Sequence, residues 1–459
     1  MNAWFPRVTL HSLVVAISVL VYVLTTRVER ERRPPSIAIA WVLGMIAVPY
    51  LALPSYLLFG RRKLPRKVLP SSGIRAHCAH WAEDLIESFG LASSAPSSVR
   101  LHRDGDESAS ALFATMSSAI DRLDICTYIL GNDSFGREAM QRMVERARSG
   151  VQVRLLIDGV GAIQMPPSCF SHLNIAGIQT AIFSPLFARK TQGPRNLRNH
   201  RKMVIADGAQ LWAGGRNLAA EYFIGLKDAK PWRDLSFDLQ GPVAAAAAGQ
   251  FEADWVAAGG RPAAAAGTVT PRVDASVPQC GGGRAQFLPS GPDQAEDTVH
   301  ALLIDACFHV RERLLIVTPY FVPDTALETA MRLAAHRGVK IDLVVPAVSN
   351  HRLADFARNR ALRALSTAGV NIHLLPYMNH AKAVVFDESL AISGSVNLDS
   401  RSLLLNYECA VVFYGTHEID WLANWIQALI PEAQPFDSRA PSLWRDIGEG
   451  LLLTVAYQL

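Results

Sequence analysis

Two long apolar stretches lie near the start of the chain, at residues 10–26 and 36–59, and both predict helices. A helix needs about 20 apolar residues to cross a bilayer, so the second stretch is long enough and the first is marginal. Pro49 and Pro54 are expected to kink the second helix. The pattern therefore predicts an N-terminal membrane hairpin of two helices, either transmembrane or re-entrant.

Beyond residue 98 the apolar positions form shorter blocks that twice follow the same order of helix, strand, helix and strand. Gly150 and Gly338 precede the last strand of each round. Alternating helices and strands are typical of α/β folds, and the recurrence predicts two homologous halves. The first round comprises helix 108–122, strand 123–130, a helix ending at 148 and strand 151–157, and the second comprises helix 295–310, strand 314–317, helix 325–336 and strand 339–345.

These blocks divide the chain into a hairpin, a connector and two halves joined by a linker. The linker is rich in alanine, glycine and proline, which is typical of a surface loop. At 459 residues the chain is long enough for two units with cores of their own. The predicted boundaries are 1–67 for the hairpin, 68–98 for the connector, 99–256 and 284–459 for the two halves, and 257–283 for the linker.

The composition indicates contact with lipid, because half of the residues are hydrophobic and the mean hydropathy is positive. The net charge of +4 and the lack of a basic tail argue against nucleic acid as a partner. The six cysteines have no framework spacing and fit a reducing compartment. Cations at Arg7 and in residues 61–67 slightly outnumber those in residues 27–33, which favours a cytoplasmic catalytic region.

A short phrase built around a histidine occurs once in each half. In both copies a lysine, an aspartate, a glycine and an asparagine follow the histidine at the same spacing. One copy would be weak evidence, but two copies that share all these positions indicate homologous half-sites. The copies are His200, Lys202, Asp207, Gly214 and Asn217 in the first half, and His380, Lys382, Asp387, Gly394 and Asn397 in the second.

The residue types of this phrase suit the transfer of phosphate. Apolar residues follow each lysine, so we expect a strand on which histidine and lysine share one face. The lysine supplies positive charge, and the imidazole supplies a nucleophile or a proton. A metal centre is disfavoured because the lysine stands where a second ligand would be needed. Asp207 and Asp387 also belong to the motif, but they lie an odd number of residues after the histidine and so point to the other face of the strand. We therefore expect a structural role for them at the turn.

The duplicated motif resembles the signature of the phospholipase D superfamily, which is H-x-K-x4-D followed by G-[GS]-x-N. Further phrases are similar to those of the bacterial cardiolipin synthases in that superfamily, and the resemblance covers nearly the whole chain. It implies an α/β fold of two phospholipase D-like α/β/α sandwich halves, with mixed sheets packed around one shared active site. The supporting phrases are 198–202, 214–217, 232–234, 290–293, 318–324 and 394–402.

The resemblance also implies a mechanism through a phosphohistidine, with His200 as the nucleophile and His380 as the general acid and base. Each imidazole would need a carboxylate or a carbonyl behind it. The candidates are Asp234, which follows the first histidine, and Glu408, which follows the second. The groups expected to bind or support the phosphate are Lys202, Lys382, Asn217, Asn397 and Ser395.

The function implied is that of a cardiolipin synthase, which joins two phosphatidylglycerols and releases glycerol. No metal or other cofactor, no nucleic acid and no protein partner is expected. The partner would be a phosphatidylglycerol-containing membrane, and the location a multi-pass position in the bacterial inner membrane. A phospholipase D hydrolase, or a transferase to another alcohol, is the alternative, and a nuclease or an inactive lipid-binding scaffold is less favoured. Three departures from the family pattern, at residues 357–361, 378–380 and 456–459, leave the acceptor and the membrane docking open.

Overall fold

The computed structural model describes residues 10–28, 35–60, 80–185, 196–227, 229–262 and 283–453 of the chain. Several features predicted from the sequence lie outside these ranges. They are the cations at residues 7, 30–33 and 61–67, the first part of the connector, most of the linker 257–283 and the C-terminal residues 456–459.

The described residues of the N-terminal region form three helices, where the sequence predicted two. They are α1 (Leu10–Val28), α2 (Pro35–Ala47) and α3 (Pro49–Phe59). The second predicted helix is interrupted at Val48 because Pro49 has no N–H and can only begin a new helix. The helices pack around Tyr56, whose hydroxyl is 2.7 Å from that of Thr25. Among the described residues, no helix combines the length and the apolar character that crossing a membrane would need.

The first half consists of a seven-stranded mixed sheet with helices on both faces. Its strand order is β2-β8-β7-β6-β3-β4-β5. The elements from the connector onward are α4 (Trp81–Ser88), β1 (Ala95–Pro96), β2 (Ser98–His102), α5 (Gly105–Ser118), β3 (Arg122–Thr127), α6 (Ser134–Arg148), β4 (Gln152–Asp158), α7 (Pro167–Ile175), β5 (Gln179–Phe183), β6 (Met203–Ala206), β7 (Gln210–Gly214), β8 (Ser236–Gln240) and α8 (Pro242–Ala257).

The second half contains a nine-stranded mixed sheet with the order β1-β9-β17-β15-β14-β10-β12-β13-β18. Strands β11 and β16 form a separate parallel pair. The elements are β9 (Arg284–Ser290), α9 (Thr298–His309), β10 (Arg313–Val317), β11 (Phe321–Val322), α10 (Thr325–His336), β12 (Lys340–Pro346), α11 (Arg352–Thr367), β13 (Asn371–Leu375), β14 (Ala383–Phe386), β15 (Leu390–Gly394), β16 (Leu398–Asp399), α12 (Ser400–Leu404), β17 (Glu408–Phe413), α13 (Thr416–Gln427), β18 (Gln434–Pro435) and α14 (Leu443–Leu453).

Seven strands correspond between the two sheets, in the same order and with the same directions. Strands β3, β4 and β5 are parallel in the first sheet, as are β10, β12 and β13 in the second. Strands β1 and β18 extend the second sheet at its two edges, and β1 comes from the predicted connector. The prediction of two related α/β halves with mixed sheets is therefore confirmed.

The local sequence repeats the same helix signals in both halves. Asp133 and Asp324 are the N-cap residues of α6 and α10, and each carboxylate accepts a backbone N–H of the first turn. Gly150 and Gly338 follow these helices with φ of 90° and 93°, a conformation that is costly for other residues. These caps and glycines set where each helix ends and the next parallel strand begins.

The largest hydrophobic core is shared by the two halves. It joins one face of each sheet to α8 and α13, and Phe237 meets Phe413 within it at a centroid distance of 5.4 Å. Two further cores cover the outer faces, beneath α5 and α6 in the first half and beneath α9 and α10 in the second. Because the shared core fixes the two sheets against each other, the ends of the central strands β6 and β14 are held in place on both sides.

Candidate active site

The two motif histidines lie in extended segments that lead into the central strands. The sequence predicted histidine and lysine within the strand, but β6 and β14 each begin one residue after the lysine. Each segment pairs with the opposite half instead. The His200 N–H donates to the carbonyl of Tyr407 at 2.8 Å, and the His380 N–H donates to the carbonyl of Arg233 at 2.6 Å. Backbone hydrogen bonds between the halves therefore anchor both histidines.

Each imidazole contacts a buried carboxylate from the opposite half. His200 Nδ1 lies 2.9 and 3.1 Å from the two carboxylate oxygens of Glu408. His380 Nδ1 lies 2.8 Å from Oδ2 of Asp234. The sequence pointed to both carboxylates, one after each histidine, and the structure crosses the pairs between the halves. The backbone pairing causes the crossing, because Glu408 directly follows the residue that binds the His200 N–H, and Asp234 directly follows the one that binds the His380 N–H.

Burial keeps the two imidazoles neutral. It lowers the pKa of His200 to about 4 and that of His380 to about 3, although the carboxylates raise both values. Burial also opposes ionisation of Glu408 and Asp234, but the adjacent histidines and lysines outweigh it and lower the pKa of each carboxyl. A neutral imidazole that donates from Nδ1 to a carboxylate has an unprotonated Nε2. Both rings can therefore present a basic nitrogen to a substrate.

The motif lysines are both buried, but they contact their histidines differently. Lys202 Nζ donates to the carbonyl of His200 at 2.8 Å. Lys382 Nζ donates to the carbonyl of His380 and also lies 2.7 and 3.0 Å from Nδ1 and Nε2 of its ring. Burial lowers the pKa of Lys202 to about 8 and that of Lys382 to about 7. Lys382 is therefore placed to exchange a proton with His380.

The motif asparagines are tied to a hydroxyl five residues further along the chain. Asn217 accepts the N–H of Ile129 at 3.2 Å and donates to the hydroxyl of Tyr222 at 2.8 Å. Asn397 donates to the hydroxyl of Ser402 at 3.2 Å. The side-chain amides therefore have fixed orientations, and their expected contact with phosphate oxygens stays a prediction.

Ser395, which the sequence placed among the phosphate-binding or supporting groups, contacts a carboxylate. Its hydroxyl donates to Glu408 at 2.5 Å and accepts the N–H of Cys409 at 3.0 Å. The corresponding residue in the first half is Gly215, where an added Cβ would lie 2.2 Å from Oδ1 of Asp234. The Ser395 hydroxyl therefore positions Glu408 behind His200. In the first half no hydroxyl takes this place, because the Asp234 carboxylate itself occupies the space beside Gly215.

Asp207 and Asp387 lie beyond the far ends of β6 and β14. Both have positive φ, of 51° and 50°, and each carboxylate accepts three consecutive backbone N–H groups at 2.8 to 2.9 Å. These contacts hold the turn after each central strand to the start of the neighbouring strand. The N–H groups belong to Ile120, Asp121 and Arg122 in the first half and to Arg311, Glu312 and Arg313 in the second.

Aromatic side chains, which sequence reasoning gave no role, surround the second histidine more closely than the first. Among the residues that the structure describes, three aromatic rings have centroids within 6.2 Å of the His380 ring, and one such ring contacts His200. Two of them, Trp232 and Tyr320, belong to phrases that carried the family resemblance. The centroid distances are 5.1 Å for Tyr222, 5.8 Å for Trp232 and 6.2 Å for Tyr320 from His380, and 5.0 Å for Tyr128 from His200.

Arg201, between the first motif histidine and lysine, was also missed. Its buried guanidinium pairs with Asp254 and with Asp293, and it donates to the carbonyl of Glu408 at 2.9 Å. It thereby links the first motif to the second half. The second motif has Ala381 at the same place. This difference between the two copies was the signal in the sequence that Arg201 has a role specific to the first motif.

The donor set of this site suits an anion. Within the described ranges, no three His, Cys, Asp or Glu side chains are grouped as metal ligands would be. Each imidazole has a buried ammonium group nearby, which would repel a cation and attract a phosphate.

Comparisons with known protein families agree with the duplicated architecture. A family described as "Cardiolipin synthase, PLD-like domain" matches residues 112–255 and 303–430. A second family, described as "Phospholipase_D-nuclease N-terminal", matches residues 14–61. The first family therefore covers one segment in each half, and each segment includes one copy of the motif.

Individual relatives match over most of the chain. Cardiolipin synthase A of Pseudomonas aeruginosa (strain LESB58) is 30% identical over 466 aligned residues, which cover 95% of this chain and 93% of that protein. Cardiolipin synthase A of Pseudomonas fluorescens is 31% identical over 81% of each chain. The crystal structure of phosphatidylserine synthase from Haemophilus influenzae Rd KW20 is similar in fold, with a TM-score of 0.62, 13% identity and coverage of 82% of this chain and 99% of that one.

Proposed function

The chain belongs to the cardiolipin synthases of the phospholipase D superfamily, and from this membership we propose that it transfers the phosphatidyl group of one phosphatidylglycerol to a second. The products would be cardiolipin and glycerol. The observation that carries the proposal is the pair of crossed contacts His200–Glu408 and His380–Asp234. They hold two neutral imidazoles beside two buried lysines in one interface between the halves.

In the first step, Nε2 of His200 attacks the phosphorus of the donor lipid. The new P–N bond forms while the P–O bond to glycerol breaks, and the glycerol oxygen takes a proton from His380. Binding of the anionic phosphodiester raises the pKa of His380, because it adds negative charge beside the ring. Lys382 Nζ, 3.0 Å from Nε2 of His380, can deliver the proton that this ring passes on.

In the second step, the free hydroxyl of another phosphatidylglycerol attacks the phosphohistidine. Its proton goes to His380, the new P–O bond forms and the P–N bond to His200 breaks. Lys202 offsets the negative charge that grows on the non-bridging oxygens, and Lys382 recovers from His380 the proton that it gave up in the first step. Glu408 holds the Nδ1 proton of His200 in both steps and so keeps Nε2 available as the nucleophile.

The assignment of His200 as the nucleophile is supported by the different neighbours of the two rings. Both oxygens of Glu408 approach His200 Nδ1, so this ring is held firmly in one tautomer. The ring of His380 contacts Lys382, a group that itself titrates near neutrality. A ring that has to gain and release a proton in each turnover benefits from such a neighbour.

For the N-terminal region we propose an anchor in the bacterial inner membrane, built from α1, α2 and α3, with the catalytic halves on the cytoplasmic side. The anchor would be a multi-pass or re-entrant hairpin. Large apolar side chains on these helices face outward, including Leu10 at 73% and Leu51 at 70% exposure. Fusing the C-terminus to a reporter that is active only in the periplasm tests the orientation, and activity of that fusion would reverse it.

The activity is tested with purified protein and phosphatidylglycerol in mixed micelles, without added metal. The expected products are cardiolipin and glycerol in equal amounts. Phosphatidate as the main product would identify a hydrolase and overturn the proposal, as would the absence of any reaction. Trapping the phosphoenzyme and mapping the modified peptide tests the role of His200, because recovery of the phosphate on His380 would reverse the two roles.

A further inference from the structure

An open groove lies beside the second histidine, at the junction of the two halves. Its volume is about 630 Å³. It adjoins the active site because Trp232 is 5.8 Å from the His380 ring and because Met378 and Asn379 lead directly into that histidine. We call it the His380 groove, and its main lining residues are Lys230, Trp232, Arg233, Tyr377, Met378 and Glu432.

The corresponding place beside His200 is closed. The chain segments pair in the same way there, with Tyr407 in the place of Arg233 and Arg198 in the place of Met378. Tyr407 and Arg198 are both buried, as is Leu197, which corresponds to Tyr377. As far as the described residues show, only the position beside His380 has room for a ligand, and the equivalent position beside His200 has none.

The geometry of the reaction also requires the acceptor to bind beside His380. If His200 is the nucleophile, the leaving glycerol departs in line, from the face of the phosphorus opposite to His200. The acceptor must attack the phosphohistidine from the same face, because the P–N bond breaks on the other. The acceptor lipid also carries a phosphodiester of its own, one glycerol away from the hydroxyl that reacts. A second anion must therefore lie near His380 but outside the reacting centre.

The polar residues of the groove suit that anion. Lys230 is exposed and forms no ion pair with any described residue. Arg233 is held in place by Glu432 at 2.8 Å and stacks on Tyr377 with its Cζ 4.9 Å from the ring centroid. Tyr377 in turn donates to Glu432 at 2.9 Å. The groove thus combines one unpaired cation with a second cation in a fixed position.

We propose that the His380 groove is the subsite for the acceptor lipid and that Lys230, assisted by Arg233, binds the acceptor's phosphodiester. Trp232 and Met378 line the path along which the glycerol carbons reach the phosphohistidine. This inference rests on the proposed function and adds where the second lipid binds. It also gives a role to Met378, which stands where sequence analysis found a departure from the family pattern.

The test compares two acceptors on the same enzyme. Cardiolipin formation from phosphatidylglycerol needs an acceptor with a phosphate, whereas exchange of labelled glycerol into phosphatidylglycerol uses an acceptor without one. Lys230→Glu is expected to lower kcat/KM for cardiolipin formation about tenfold, through charge repulsion, and to leave glycerol exchange within about twofold of the parent. Lys230→Arg should restore cardiolipin formation, and Lys227→Glu, a cation of the same loop outside the groove, is the matched control.

Each outcome separates the subsite from the function. A selective loss of cardiolipin formation in Lys230→Glu, absent from Lys227→Glu, supports the subsite. An equal loss of both reactions in Lys230→Glu, or no loss of either, overturns it while the proposed function stands. If the parent enzyme exchanges glycerol but makes no cardiolipin, the proposed function fails, and the acceptor subsite fails with it.

Discussion

The surroundings of His200 and His380 differ although the backbone around them is duplicated. Asn217 donates to the hydroxyl of Tyr222, whereas its counterpart in the second half donates to the hydroxyl of Ser402. Trp232 packs near His380 where the equivalent position near His200 is Asn406. The second histidine thus has an aromatic wall where the first has small polar groups, which is the kind of divergence expected if the two rings perform different steps.

Side chains that are the same in both halves fix the backbone around each motif. Asp207 and Asp387 have nearly the same φ and bind equivalent runs of three N–H groups. Thr127 and Thr318 each donate to the carbonyl two residues ahead, at 2.8 and 2.9 Å. The duplication therefore preserved the frame that presents each histidine and the carboxylate at each Nδ1, while the aromatic and small polar side chains around the rings changed.

The largest effect should come from removing the histidines, and the comparison predicts that the two losses differ in kind. His200→Ala and His380→Ala should each lower kcat about 10⁴-fold or more on phosphatidylglycerol. With a phosphatidyl ester of p-nitrophenol, which needs no general acid, His380→Ala should still release one equivalent of p-nitrophenol in a burst. His200→Ala should show no burst, because it lacks the nucleophile.

Stopped-flow absorbance measures this burst, and circular dichroism verifies that both variants are folded. A burst from His200→Ala and none from His380→Ala would exchange the two roles. Bursts from both variants would contradict a single nucleophile.

The crossed carboxylates should give the next largest effect. Glu408→Gln and Asp234→Asn are each expected to lower kcat about 10²- to 10³-fold, because the imidazole loses its fixed tautomer. Since Glu408 serves His200, its variant should also slow the p-nitrophenol burst. Asp234→Asn should spare the burst, since it acts on the general acid. The Asp342→Asn variant disrupts a similar contact with His373 outside the site and should leave both reactions unchanged.

The same burst measurement tests whether the pairs are crossed. If Asp234→Asn slowed the burst and Glu408→Gln spared it, each carboxylate would serve the histidine of its own half. That result would contradict the crossed contacts seen here.

The sequence predicted the duplicated motif, the order of the strands and helices along the chain and the two carboxylates, because each of these follows from local pattern or from matching positions. It could not predict the crossing of Glu408 and Asp234, which depends on how the backbone of one half pairs with the other. Nor could it predict that the His380 groove is open while the equivalent place beside His200 is closed, because the side chains that decide this meet only across the interface between the halves. The break at Val48 was partly predicted, since Pro49 was expected to kink a helix that the structure divides in two.

A smaller effect is expected from making the second half resemble the first at Ser395. Ser395→Gly removes a hydrogen bond to the ionised Glu408, and such a bond contributes about 1.5 kcal/mol, or roughly tenfold in rate. The loss should appear in the p-nitrophenol burst, because Glu408 supports the nucleophile. Ser389→Gly removes a similar serine at the turn before β15 and serves as the control. An unchanged burst rate in Ser395→Gly would show that Glu408 needs no support from this hydroxyl.

The smallest effect is a pH dependence that distinguishes the two lysines. Burial lowers the pKa of Lys382 to about 7 and that of Lys202 to about 8, so Lys382 loses its proton first as the pH rises. Each lysine carries its charge below its pKa and loses it above, so loss of the Lys382 charge alone should lower kcat/KM about fivefold between pH 7 and 8. In Lys382→Arg the guanidinium stays charged but cannot pass a proton to His380, so the activity should be lower, and what remains should begin to fall near pH 8, where Lys202 titrates. In Lys202→Arg the fall should remain near pH 7, and a profile that shifts in this variant but not in Lys382→Arg would assign the titration to the first half.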